Sequence, residues 1–340
     1  MARFARVVAR GEQSGETDMT FRILALDGGG IKGSFTAGVL AALEKDTGHR
    51  CVDHFDLIAG TSTGGIIAIG LGLGLSAAEI VDFYTRHGPT IFPSTSLARR
   101  WFGVARHLFQ PKHSHQTLRS ALTQVLGERK FGDSIRPLVI PTYDAVGGRI
   151  FLLKTGHHAH LRHDVEAPAV EVALATAAAP TYFAATRFPD HGNNSYVDGG
   201  VWANSPALAA LVEAVHFLGQ RLEDIDILSI GTTSTPFNVA QKHRSGILGW
   251  NAGLVEILMT AQQEAANAQA MLLVDRRFHR IDHQSPRGQF SLDDARPEQI
   301  ERLIALGRGE AVKKANIEAV GDRFLNGRHA PPFQPLFPSR

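Results

Sequence analysis

The chain has 340 residues, 44% of them hydrophobic, which is enough for a sizeable core in one large α/β domain or two smaller ones. Lys and Arg number 35 against 33 Asp and Glu, so no general surface charge points to nucleic acid, and no nucleic-acid polymer is expected as a partner. The single cysteine, Cys51, excludes an internal disulfide framework and fits a reducing, cytoplasmic setting.

Residues 1–20 carry Arg3, Arg6 and Arg10 without a continuous apolar stretch, and read as a loose tail rather than a secretory leader. Short β-branched or aliphatic runs predict strands at Phe21 to Leu26, Phe55 to Ala59, Pro137 to Tyr143, Ile150 to Thr155, Ser195 to Val197 and Asp226 to Ile230. Helices are predicted at Ser34 to Lys45, Thr63 to Leu73, Ala77 to Arg86, Gln116 to Leu126, Ala169 to Ala177, Ala207 to Leu218, Leu254 to Met271 and Pro297 to Ile317. This alternation predicts an α/β fold with a mostly parallel sheet between layers of helices. From Leu57 to Ala78 the chain carries no charge and is long enough to span a bilayer. Its many glycines and the polar Thr61, Ser62 and Thr63 favour a buried strand, turn and helix instead. No flexible linker or repeat divides the chain, so one domain is expected over residues 21–327. A Pro-rich tail follows over 328–340, with Pro331, Pro332, Pro335 and Pro338.

Three turns along this layout carry chemistry. Gly60-Thr61-Ser62-Thr63-Gly64 places a serine between glycines where a strand meets a helix, the pattern of a nucleophile elbow. A serine hydroxyl needs a base for its proton and donors for the oxyanion that forms when it attacks a carbonyl. Asp27-Gly28-Gly29-Gly30-Ile31-Lys32-Gly33 follows the first strand and matches a dinucleotide fingerprint. The acidic ribose ligand of such a site belongs at the end of the second strand, where this chain has Ser62, while Asp53 lies before that strand. A P-loop fails because Lys32 precedes its glycine, whereas successive glycine amides can serve as an oxyanion hole. The third turn, Asp198-Gly199-Gly200, delivers a carboxylate that is either an Asx-turn residue or a general base. Among 16 histidines, His279 and His283 stand late enough to be triad partners instead. All these turns, with Gly231-Thr232, are expected to leave the carboxyl edge of one parallel sheet.

The chain resembles the patatin-like phospholipase family through ordered motifs. These are the Asp27 to Gly33 loop, the Gly60 to Gly64 elbow, Ala175 to Phe183, Asp198-Gly199-Gly200 followed by Asn204-Ser205-Pro206, and Leu228 to Thr232. The resemblance implies the family's three-layer fold and a Ser-Asp dyad without histidine, with Ser62 as nucleophile and Asp198 as base. It implies an oxyanion hole at Gly28, Gly29 and Gly30, with Lys32 where the family commonly carries a basic residue. The implied reaction is hydrolysis of phospholipid acyl esters through an acyl-serine intermediate, with no metal or organic cofactor, at the inner face of the membrane. More narrowly, the chain resembles the phospholipase effectors of bacterial antiphage signalling, which a cyclic dinucleotide switches on. That resemblance rests on a stand-alone domain with no secretion signal or added barrel, and it carries no binding residues. Self-association is compatible with the sequence. The rival reading is a nucleotide-binding module that uses Gly28 to Gly33 for phosphate.

Two further features have alternatives. Leu97, Trp101, Val104 and Leu108 form a stripe opposite Arg99, Arg100, Arg106 and His107, which suits either packing on the core or contact with an anionic membrane. His157, His158, His160 and His163 cluster in sequence without metal-ligand spacing, so no metal centre is expected there.

Overall fold

The computed structural model describes residues 20–93, 114–180, 182–188, 194–235, 252–325, 327–337 and 339. The 97–108 stripe and the N-terminal tail up to residue 19 lie outside them. Strands β1 (Phe21–Leu26), β2 (Leu57–Gly60) and β7 (Ile225–Ile230) are almost wholly buried, as expected of apolar runs covered on both faces. They pair in parallel in the order β2-β1-β7, and β8 (Phe278–Ile281), which lacks a strong strand pattern, extends that side. On the other side β2 pairs in parallel with β3 (Leu138–Asp144). The described sheet has eight strands, completed by β4 (Arg149–Lys154), β5 (Thr186–Phe188) and β6 (Asn194–Asp198).

Alternate residues of each central strand feed two separate cores. Leu24, Leu26, Ile58, Leu228 and Ile230 face one layer, built on α1 (Gly33–Thr47), α2 (Thr63–Gly72), α3 (Ala77–Ile91), α4 (His115–Leu126), α5 (Ala169–Thr176) and α9 (Pro297–Ala311). Ile23, Ala25, Leu57, Ala59, Ile225 and Ile227 face the other, built on α7 (Ala207–His216) and α8 (Ala252–Val274). The period of two along a strand thus produces three layers. A single turn, α6 (Gly200–Ala203), follows β6.

One part of the expected layout is corrected. Asp198 does not leave the same edge by a parallel strand, because β6 runs antiparallel to β3. β4 occupies one side of β3 from Val139 to Asp144, so β2 and β6 share its other side. β2 pairs with Leu138 and Val139 and runs with β3; β6 pairs with Thr142 to Asp144 and runs against it. Their carboxyl ends therefore meet head to head beside Ile140 and Pro141. The expected single helix from Pro297 to Ile317 is also two helices, α9 and α10 (Lys314–Arg323). The Asn316 side-chain amide and the Lys313 backbone amide both donate to the carbonyl of Glu310, which caps α9 before the chain continues.

The Pro-rich segment forms no helix or strand over residues 328–337, yet it is fastened to the body. Arg136 is 7% exposed, and its guanidinium donates to the carbonyls of Val52, Asp53, Ala330 and Pro331. Arg22, on β1, donates to the carbonyls of Phe324 and Arg328. Arg136→Met keeps most of the side-chain volume but leaves those four carbonyls without their charged donor. We expect a stability loss of ~2–4 kcal/mol in urea unfolding and faster proteolysis within 328–337.

Candidate active site

The elbow is shaped by backbone contact. A Cβ on Gly60 would stand 2.1 Å from the Gly64 carbonyl oxygen, and one on Gly64 would stand 2.2 Å from that of Leu26, so neither position accepts a side chain without separating α2 from the sheet. Between them Ser62 adopts φ 54°, ψ −122°, a strained conformation for any residue other than glycine. Its neighbours hold it there. The Ser62 amide donates to Thr176 Oγ1 at 3.0 Å, and Thr176 in turn donates to the Pro141 carbonyl at 2.7 Å. Thr61 Oγ1 donates to the Ala203 carbonyl. The Ser62 side chain is left at the first turn of α2, half-buried and open to an incoming carbonyl.

Asp198 comes from the opposite direction and ends beside that serine. Its residue is 4% exposed, its Oδ1 accepts from the Gly200 amide at 2.7 Å, and the Ser62 hydroxyl is its hydrogen-bonding side-chain neighbour. Burial pushes the carboxyl up to about 6, against the opposing pull of Ser62 and Gly200. Its own amide donates to the Ala178 carbonyl, within the Ala175 to Phe183 motif. Gly199 packs where a Cβ would meet the Pro141 carbonyl oxygen at 2.3 Å.

The glycine loop lies against the same serine, with the Cβ position of Gly28 3.2 Å from Ser62 Cβ. Gly28 is not a free donor, since its amide donates to the Asn204 carbonyl at 2.9 Å. The amides of Gly29 and Gly30 have no acceptor among the described residues and remain available to an anion. A phosphate at this helix start would need the Ile31 amide, which is committed to the carbonyl of Leu292 at 2.9 Å. Gly33 packs against Thr63 and Tyr84, and the Lys32 ammonium donates to the Thr233 carbonyl at 2.9 Å.

Beneath the loop lies a polar layer that the sequence did not mark. Asp27 is fully buried, and its Oδ2 accepts from Gln263 Nε2 at 3.0 Å and from Arg280 Nη2 at 2.7 Å. Burial raises the Asp27 carboxyl despite Arg280, while Asp27 and Asp282 raise Arg280 against its own burial. Arg280 also donates to Ser229 and Asp282. Gln263 Oε1 accepts from Asn204 Nδ2 at 2.6 Å, Gln262 donates to the Gly200 carbonyl, and Ser205 donates to Asn267. One face of α8 therefore ties the glycine loop to the Asp198 turn. The signal available was the run Gln262, Gln263 and Asn267, three neutral amides within two turns of one helix. Neither late histidine joins the site, since His279 pairs with Asn316 and His283 with Glu310; His157 pairs with Glu213.

A strained serine at a strand-to-helix turn, a desolvated carboxylate beside it and two uncommitted amides in the adjoining loop can perform acyl transfer. The patatin-like phospholipase family model matches residues 24–211. The chain is 33% identical over 328 residues to a cGAMP-activated phospholipase of Pseudomonas aeruginosa, across 93% of this chain and 92% of that one. It is 33% identical over 326 residues to a cGAMP-activated phospholipase of Vibrio cholerae, across 86% and 91%. It is 28% identical to patatin-like protein 2 of Oryza sativa, across 84% and 82%. The glycine loop, the elbow and Asp198 all fall inside the matched span, and the chain belongs to the patatin-like phospholipase family.

Proposed function

We propose that the protein hydrolyses carboxylic esters of membrane phospholipids with Ser62 as nucleophile and Asp198 as its base, and that a cyclic dinucleotide switches it on. The observation that carries the first half is the buried Asp198 carboxyl, raised to about 6 and set beside a serine in strained elbow geometry. Asp198 takes the hydroxyl proton as Ser62 attacks the ester carbonyl, and the Gly29 and Gly30 amides meet the negative charge on the carbonyl oxygen. The tetrahedral intermediate collapses to acyl-serine, and the proton passes from Asp198 to the leaving alcohol. Water, deprotonated by the same carboxylate, then releases the fatty acid and restores the serine. Gly28 supports the hole rather than donating to it, because its amide is committed to Asn204. No described helix is long and apolar enough to cross a membrane, which suits an enzyme that approaches the bilayer from one side.

Ser62→Ala should abolish both phospholipid hydrolysis and labelling by a fluorophosphonate probe; retained turnover would refute the nucleophile.

The base must be ionised in the free enzyme, so kcat/KM should fall as pH drops through about 6, by tenfold per unit below it. The stability effect has the opposite sense. A carboxyl raised by burial favours the protonated folded state, so folded stability declines as pH rises from about 4 to about 6. Asp198→Asn removes that term while keeping the acceptor for the Gly200 amide. It should be inactive, with a Tm advantage over the parent that is larger at pH 8 than at pH 4.

The second half is supported by three relatives described as cGAMP-activated phospholipases, at 33%, 33% and 31% identity. Fatty-acid release from phospholipid vesicles should rise at least tenfold with cGAMP or another member of a cyclic-dinucleotide panel. A high rate unaffected by every one would remove this half and leave the hydrolase assignment standing.

A further inference from the structure

Of the histidines clustered in sequence, His158 and His160 meet as a pair, but among the described residues it is three others that form a group of possible ligands. His49 follows the left-handed Gly48 that ends α1, His54 closes the short turn Cys51–Asp53 before β2, and His329 lies in the Pro-rich segment. Their ring centroids are 5.0 Å (His49 to His54), 4.8 Å (His54 to His329) and 6.2 Å (His49 to His329) apart, and one nitrogen from each lies within 4.8 Å of the others. The middle ring is the informative one. His54 is 0% exposed, and its Nδ1 lies 2.7 Å from the carbonyl of Arg328. A carbonyl only accepts, so Nδ1 carries the proton and Nε2 presents a bare lone pair. That Nε2 is buried and has no hydrogen-bond partner.

A stack of three imidazoles leaves this nitrogen unsatisfied, whereas a metal ion completes it. Metal-bound histidines characteristically donate their second ring N–H to a carbonyl, which fixes the tautomer, as His54 does. We propose that His49, His54 and His329 form a site for a divalent metal of borderline softness, zinc foremost, with water in a fourth position. A tetrahedral zinc ion with nitrogens at ~2.0–2.1 Å needs those nitrogens roughly 3.3 Å apart. His329 is exposed and His49 half-buried, so both rings can close on the fixed His54.

The ion fastens the C-terminal segment to the start of β2. It acts where Arg22 and Arg136 already grip the same stretch, at the amino ends of the strands and across the sheet from Ser62. It therefore has a structural rather than a chemical part.

The test uses full-length protein without a polyhistidine tag, stripped with a chelator and dialysed. Addition of Zn²⁺ should raise Tm, and Co²⁺ should produce the visible d–d band of a tetrahedral site, while Mg²⁺ does neither. The surface variants His49→Ala and His329→Ala, which leave the buried ring in place, should each bind zinc ~10-fold or more weakly, and the double variant should lose both responses. Absence of a zinc-dependent Tm shift and of a cobalt band in the parent would overturn the site. So would responses that persist unchanged in the double variant.

Discussion

A carboxylate surrounded by water is a weak base, and the proposed role of Asp198 depends on its burial. The sheet achieves this by an unusual meeting of strands. β2 and β6 share one side of β3 while running in opposite directions, so the turn that carries Ser62 and the turn that carries Asp198 abut. At that meeting Asp198 is buried while Ser62 stays half-exposed. The Asp198 carboxyl then has only the Ser62 hydroxyl and the Gly200 amide to moderate the cost of its charge, and its proton affinity rises to about 6. The same geometry that brings the proposed base to its nucleophile also tunes it.

Strain at Ser62 needs support from outside the elbow, because a single residue at φ 54° relaxes unless its surroundings over-determine it. Support comes from several layers. Thr176 grips the Ser62 amide and passes the constraint to β3 through Pro141. Asn204 holds the glycine loop against the Asp198 turn, and Gln263 links that asparagine to the buried Asp27. Arg280 pairs with Asp27 from β8, so a strand at the far edge of the central sheet helps fix the base of the glycine loop. With the Gly28 amide occupied, the loop leaves those of Gly29 and Gly30 without an acceptor among the described residues.

What was legible in the sequence follows from what is local. Gly60, Gly64 and Gly199 reveal themselves because backbone presses directly on their Cα atoms, and that demand is written at fixed spacing around Ser62 and Asp198. The apolar runs of β1, β2 and β7 were readable because both faces are buried. Strand direction was not, since a short run such as Asn194–Asp198 looks the same in either sense. β8 was missed because Phe278–Ile281 alternates with His279 and Arg280, whose roles lie in distant pairings. Thr176 and Gln263 look like ordinary helical polar residues until the partners that need them are known. The break before Lys314 escaped notice because no glycine or proline marks it, only the reach of Asn316 back to Glu310.

The head-to-head approach of β2 and β6 also bears on the order in which a ribosome delivers the parts. Ser62 emerges early, but its neighbouring carboxylate arrives only with β6, and Gln263 and Arg280 only with α8 and β8. These are long-range pairings, the slow kind to form. A nascent chain that has exposed its elbow thus has neither the Asp198 carboxylate nor the polar layer that holds the glycine loop. A site whose parts run from residue 27 to residue 280 is therefore complete only when most of the chain has been made.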